Sequence, residues 1–193
     1  MIRMATTADI PAILDIYGPY VENTAISFEY TVPTLDAFTQ RFTRINQNFP
    51  WLVWEENGQI LGYAYGSLPW ERAAFQWCAE CSIYLRPQAH RRGIGRALYR
   101  ALEQLLTLQG YRTVYAVITT ANQASVDFHE AVGFRFTAIM PECGFKHGTW
   151  HGILWMEKRL SSVEMPTSSP VSWQAIVDFD RKFAEILDTL SLS

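Results

Sequence analysis

The run Ser82-Ile83-Tyr84-Leu85-Arg86-Pro87-Gln88-Ala89-His90-Arg91-Arg92-Gly93-Ile94-Gly95-Arg96-Ala97-Leu98 sets a strand, a short loop and a glycine-bearing helix start in succession. Glycines let the main chain come close to a ligand and present its N–H groups. The N-terminus of a helix adds a partial positive charge that favours phosphate. Arg91 and Arg92 supply mobile positive charge at the same mouth. The chemistry on offer is the gripping of a phosphate or diphosphate. A Walker site is excluded, since no Gly-Lys-Ser/Thr follows. A dinucleotide fold would want a third glycine and an acidic residue after the next strand, and neither is apparent. Gly-x-Gly by itself also fits a tight turn beside a solvated basic patch.

A second kind of chemistry is proton transfer. Glu80 lies in an apolar strand context, between Trp77-Cys78-Ala79 and Ser82-Ile83. Desolvation there would raise its pKa toward a value useful to a general base. The competing reading is an edge-strand glutamate facing water. Two further patterns carry no chemistry. Cys78 and Cys81 have redox-like spacing, but positions three apart on a strand point to opposite faces, so two free core cysteines are expected. His147 and His151 are four apart without acidic or cysteine partners in the sequence, so no metal is predicted.

These residues need elements to position them. Ile2-Arg3-Met4 can form a short strand, and Thr7 can cap a helix carrying Ile10, Ile13, Leu14 and Tyr17 at helical spacing. Thr34 can cap a second helix containing Leu35, Phe38 and Phe42. Trp51 to Glu55 and Gln59 to Leu68 flank Asn57-Gly58, a two-residue hairpin turn. Cys78 to Leu85 reads as the next strand. Ile94, Leu98, Ala101, Leu102, Leu105 and Leu108 share one face of the helix after Gly93, which Gly110 ends. Thr113 to Ile118 is a β-branched strand, Asn122 to Val132 a helix stopped by Gly133, and strands follow near 134–140 and 150–158. Single helices between strands, after an opening hairpin, predict an α/β fold with a mixed sheet.

Composition bounds the rest. With 193 residues, 49% apolar and 18% charged, the chain suits one packed domain with an appendage. The net charge of −3 and pI near 5.8 argue against a nucleic-acid binder. No apolar run is long enough to span a membrane and no secretory leader is evident, so with three cysteines a cytoplasmic location is expected. Residues 161–172 are rich in Ser, Thr and Pro and read as a linker. Beyond them, residues 173–191 carry an amphipathic stripe (Trp173, Ile176, Val177, Phe183, Ile186, Leu187, Leu190) that must be buried on its own domain or on a partner subunit.

Arg91-Arg92-Gly93-Ile94-Gly95-Arg96-Ala97-Leu98 resembles the acyl-CoA diphosphate loop of the GNAT acetyltransferases. Asn122, Ser125 and Ala131-Val132-Gly133-Phe134 resemble that superfamily's next helix and its closing Gly-Phe. More narrowly, Trp51-Leu52-Val53, Pro69-Trp70, Ala79-Glu80, Gly110-Tyr111 and Gly144-Phe145-Lys146-His147-Gly148-Thr149-Trp150-His151 resemble the phosphinothricin N-acetyltransferase group, over about residues 1 to 160. His90 departs from the pattern, which has Gln or Arg there. The resemblance implies a twisted mixed sheet flanked by helices, with an appended helix outside the domain of residues 1–160. It implies acetyl-CoA as co-substrate and a small amine as acceptor: phosphinothricin, methionine sulfoximine or methionine sulfone. A homodimer is expected. Glu80 takes the place of the catalytic base. Ile83, Tyr84 and Leu85 would offer main-chain groups to the pantetheine arm and thioester. Arg91, Arg92, Gly93, Ile94, Gly95, Arg96, Ala97, Asn122 and Ser125 complete the coenzyme set. His129, where many members have a tyrosine, could protonate the thiolate, contact the coenzyme or be structural. Lys146, His147 and Trp150 should border the acceptor pocket, where Lys146 and His147 could bind a carboxylate or phosphinate and His147 is also a second base candidate. Phe28 and Arg72 are further acceptor-site candidates. Peptide N-terminal acetylation and a non-catalytic acyl-CoA-binding module are the alternative functions.

Overall fold

The computed structural model describes residues 1–162 and 168–191. Seven strands form one sheet: β1 (Ile2–Met4), β2 (Trp51–Glu56), β3 (Gln59–Ser67), β4 (Cys78–Leu85), β5 (Thr113–Thr119), β6 (Arg135–Lys146) and β7 (Thr149–Arg159). Their order is β1-β2-β3-β4-β5-β7-β6, and only β4 and β5 run parallel. The expected hairpin turn forms, with Asn57 and Gly58 both at positive φ (52° and 76°), which suits the right-handed twist of the flanking strands. The last hairpin is longer than the sequence suggested. β6 does not stop near Met140 but runs on to Lys146 across a register irregularity between Met140 and Gly144. Pro141 and Glu142 (φ 48°) break the alternation there without ending the pairing.

Helices cover both faces. On one, α1 (Ile10–Asn23) and α2 (Leu35–Asn46) bury Ile10, Ile13, Val21, Phe38 and Phe42 against Trp51 and Tyr63. The cap before α1 is Thr6 rather than Thr7: the Asp9 carboxylate accepts from the Thr6 N–H (2.8 Å) and hydroxyl (3.1 Å), and a 3-10 turn intervenes. Thr34 caps α2 as expected, accepting from the Ala37 N–H. On the other face lie α3 (Ile94–Gln109), α4 (Gln123–Ala131) and α5 (Phe179–Ser191). Leu98, Leu102, Leu105 and Leu106 of α3 are fully buried. Leu108, expected on that stripe, is 42% exposed, because in the last turn the buried side passes to Leu106 and Gln109.

The tail closes over the C-terminal end of α3. Part of the predicted linker, residues 163–167, lies outside the described residues. The stripe after it is not one helix: Trp173–Ala175 form a 3-10 turn, and α5 starts only after Asp178, at φ 54°. Ile186 is buried in the α3 core, with Phe179, Phe183, Leu187 and Leu190 packed against it. Polar ties fasten the seat. Gln109 Nε2 donates to the carbonyls of Asn48 (2.6 Å) and Val171 (2.7 Å), and Trp173 Nε1 donates to Asn46 O (2.8 Å).

Candidate active site

β4 and β5 pair over three residues only: Cys78 with Thr113, Ala79 with Val114, Glu80 with Tyr115. Beyond Glu80 they diverge, although β4 stays paired with β3 as far as Leu85. The Arg86 N–H donates to Leu61 O at 2.8 Å. By antiparallel alternation, Glu80, Ser82 and Tyr84 therefore spend their main-chain groups on β3, while those of Cys81, Ile83 and Leu85 face the gap. On that inner edge the Tyr20 hydroxyl donates to Leu85 O (2.6 Å). Among the described residues no strand stands opposite Ile83 and Leu85 on this edge, so apart from the Leu85 carbonyl held by Tyr20 their main-chain groups there face the gap.

The gap leads to the start of α3. Arg91 and Gly93 take left-handed φ values (60° and 80°), and the first bond back to this loop is Ala97 N–H to Gly93 O. Among the described residues nothing accepts from the amides of Arg91 to Arg96. Orphan donors at a helix N-terminus, with an arginine alongside, suit a negatively charged group. The cleft before them, open to solvent and with about 1060 Å³ of empty space, is walled by Tyr20, Ile83, Leu85, His90, Arg91, Gly95, Asn122, Ser125 and Phe128. Gly95 keeps it open: a Cβ there would stand 3.3 to 3.5 Å from Phe128, Ile83 and Leu85.

Glu80 marks the apex where pairing stops. Its strand neighbours Ala79 and Cys81 are buried in the α3 core, so alternation turns its side chain to the face of α1 and α2. Burial pushes the carboxyl up to about 6 from an ordinary 4.5. A carboxyl so placed ionises near neutrality and can accept a proton. Beside it, Trp70 stacks on Trp155 (5.4 Å) and meets Tyr115 (5.2 Å) and Phe75 (4.9 Å), an aromatic cluster next to Glu80's partner on β5.

A diverging parallel pair, orphan amides at the following helix and a desolvated glutamate at the apex agree with the sequence relationships. Residues 2–155 match the family described as the acetyltransferase (GNAT) domain. The chain belongs to the GNAT family of acetyltransferases. It is 36% identical over 153 residues to a phosphinothricin N-acetyltransferase of Streptomyces viridochromogenes, covering 79% of this chain and 83% of that one. It is 36% identical over 163 residues to an L-methionine sulfoximine/L-methionine sulfone acetyltransferase of Pseudomonas aeruginosa, covering 82% and 94%. A solved phosphinothricin acetyltransferase from Sinorhizobium meliloti, in complex with AcCoA, superposes with a TM-score of 0.81 at 35% identity, covering 93% and 96%. The chain is thus an acetyl-transferring enzyme with the GNAT fold.

Within this GNAT frame the predicted residues separate. Ile83, Tyr84, Leu85, Arg91, Gly95, Asn122 and Ser125 all border the cleft, and Gly93 and Ala97 contribute main chain to the helix start. Ile94 is buried in the core, Arg92 is paired with Glu56, and Arg96 lies along a separate hollow with Arg100 and Glu103. His129 is buried at the inner end of the gap. Its Nδ1–H donates to Ser125 O (2.7 Å), and its Nε2 accepts from the Tyr99 hydroxyl (3.0 Å). Burial pulls the imidazole down to about 4. A neutral ring whose N–H is already spent is an acceptor at pH 7, not an acid. Lys146 is buried too, with Nζ donating to Val21 O (2.6 Å) and Ser27 O (2.7 Å), so two of its three N–H donors serve the main chain. His147 sits on the exposed β6–β7 turn and reaches Thr24 O (3.3 Å). Phe28 and Arg72 are exposed, and Trp150 is an exposed ring 5.3 Å from Phe145. Tyr20, Ile26, Tyr99 and Phe128, which the sequence reading did not select, border the cleft or its inner extension. Only Tyr99 carried any signal, as a polar hydroxyl on an otherwise apolar helix stripe.

Proposed function

We propose that the chain moves an acetyl group from acetyl-CoA to the primary amine of a small amino-acid-like substrate, of the phosphinothricin or methionine sulfoximine/sulfone type. The observation that carries this reading is a desolvated carboxylate at the apex of a strand gap that opens toward unsatisfied helix amides. The amides of Arg91 to Arg96 would hold the diphosphate, and the main chain of Ile83 and Leu85 the pantetheine arm. When bound, acetyl-CoA supplies an activated acetyl group, whose carbonyl carbon exchanges its C–S bond for a C–N bond while the sulfur leaves as a thiolate that takes up a proton. Glu80 accepts the proton that the acceptor's ammonium must lose before its nitrogen can attack. Main-chain N–H groups on the inner edge of β4 stand ready for negative charge on the carbonyl oxygen. The relatives' substrates and the aromatic surroundings of Trp70, Tyr115 and Trp155 support a compact acceptor rather than a peptide.

Titration calorimetry tests the reading. The wild-type protein should bind coenzyme A, and Gly95→Val should weaken binding about tenfold or more by forcing methyls into packed contact. Absence of binding by the wild type at millimolar coenzyme overturns the assignment.

The reading includes a homodimer. β6 is an edge strand, and Phe136, Ile139, Met140 and Phe145 along it are 46 to 57% exposed, an apolar row that isolated subunits rarely leave in water. Light scattering should give twice the mass of one chain, and Phe136→Asp with Ile139→Asp should halve it. A wild type that is monomeric at micromolar concentration excludes this part. The free cysteines suit a cytoplasmic enzyme, and among the described residues no helix is long and apolar enough to cross a membrane.

A further inference from the structure

The segment between α1 and α2 is tied down on both sides of one residue. Thr24 Oγ1 donates to Tyr20 O (2.5 Å) and accepts from the Ile26 N–H (3.1 Å), while Thr24 O accepts from His147 (3.3 Å). One residue past Ile26, Ser27 gives its carbonyl to the buried Lys146 ammonium (2.7 Å) and its hydroxyl to Tyr17 (2.7 Å). Further on, the Phe28 ring occupies the space a Cβ on Gly144 would need, 2.3 Å from the nearest ring atom, and the Tyr30 hydroxyl donates to Phe145 O (2.6 Å). A loop fastened in this way cannot swing aside as surface loops usually do.

Ile26 is what the strap presents. It borders the outer cleft and also the narrower space behind it, where Ser82 and Ile83 of β4 face Val117 and Ile118 of β5 across the gap. The other residues shared by the two spaces come from β4 and from the start of α4, whereas Ile26 arrives from the α1–α2 side, the side on which Glu80 lies. We propose that Ile26 is the wall that limits the length of the acyl group this enzyme accepts, and that the strap from Thr24 to Tyr30 holds that wall in place. The proposal rests on the reading of the cleft as a site for a coenzyme A thioester. Whatever the acyl chain, the carbonyl carbon exchanges sulfur for nitrogen, so discrimination by length resides in the space beyond the carbonyl. A fixed apolar wall there discriminates each added methylene by about tenfold or more.

The test is binding of acetyl-CoA, propanoyl-CoA and butanoyl-CoA by calorimetry with no amine present, each referred to free coenzyme A, followed by turnover of the same thioesters. Wild-type protein should bind butanoyl-CoA, two methylenes longer, about a hundredfold or more weaker than acetyl-CoA. Ile26→Ala should bring the two within about threefold, and Ile26→Phe should weaken acetyl-CoA itself. Should the alanine variant fail to fold, the one-methylene change Ile26→Val should give an intermediate ratio. An acetyl-to-butanoyl ratio that stays put in Ile26→Ala or Ile26→Val, or a wild type that binds both thioesters alike, overturns the wall. A wild type that takes up none of the thioesters overturns the parent reading as well.

Discussion

Replacing Glu80 with glutamine is expected to lower kcat/KM for the amine about 10²- to 10⁴-fold, the range usual for loss of a positioned general base. The pH profile gives a sharper test. With its carboxyl pushed up to about 6, the wild type should lose kcat/KM with unit slope as pH falls below about 6, and this limb should be absent from the residual activity of Glu80→Gln. Stability should move the other way. The folded-state pKa lies above the ordinary 4.5, so the carboxyl's favourable contribution is complete below about 4.5 and is lost as pH rises through about 6. At neutral pH the buried carboxylate therefore opposes folding by up to about 2 kcal/mol. The amide has no charge to desolvate, so the inactive variant should melt higher than the wild type at pH 7.5. Undiminished turnover across the pH range would remove Glu80 from the mechanism.

Acidification should destabilise the fold through His129. Its imidazole is held neutral, down to about 4 from an ordinary 6.5, because burial penalises the cation. Between about pH 6.5 and 4 the unfolded chain binds a proton that the folded one refuses, so this residue alone should remove about 3 kcal/mol as pH falls through that window. Glu80 works against it from about 6 to 4.5, where protonation favours the fold. Urea titrations at a series of pH values should thus show a steeper acid loss in Glu80→Gln than in wild type. His129→Gln, whose amide can still donate to Ser125 O and accept from Tyr99, should flatten it. Parallel pH curves for wild type and His129→Gln would mean that the ring takes up its proton at the same pH in the folded and unfolded chain, so that burial does not depress its pKa.

The strands and helices near the gap were legible in the sequence because each is punctuated. Asn57-Gly58, Gly93, Gly110 and Gly133 mark turns that need left-handed backbone, and β-branched runs fill β5. The burial of Glu80 was legible because its strand neighbours are apolar, and its raised pKa follows from that burial. What escaped was set by partners distant in the chain. Lys146 is tied to Val21 and Ser27, more than a hundred residues away, by two of its three N–H donors, which no local pattern shows. The bonds of His129 to Tyr99 and Ser125, which favour the structural one of its three possible roles, are likewise not visible in the local sequence. Ile26 sits in a loop with no periodicity, and only the assembled fold shows which spaces it borders. The extension of β6 past Pro141 was missed for a related reason: cross-strand pairing with β7 carries the strand through a break in local pattern.

The short joint between β4 and β5 has a consequence for handling the protein. A sheet seamed by three residue pairs leaves the rest of that seam to be completed by whatever occupies it. On the reading above, the coenzyme's arm is then part of the architecture, bridging two half-sheets much as a missing strand would. Preparations that retain coenzyme from the host cell should resist heat better than stripped ones, by an amount that follows ligand concentration rather than sequence.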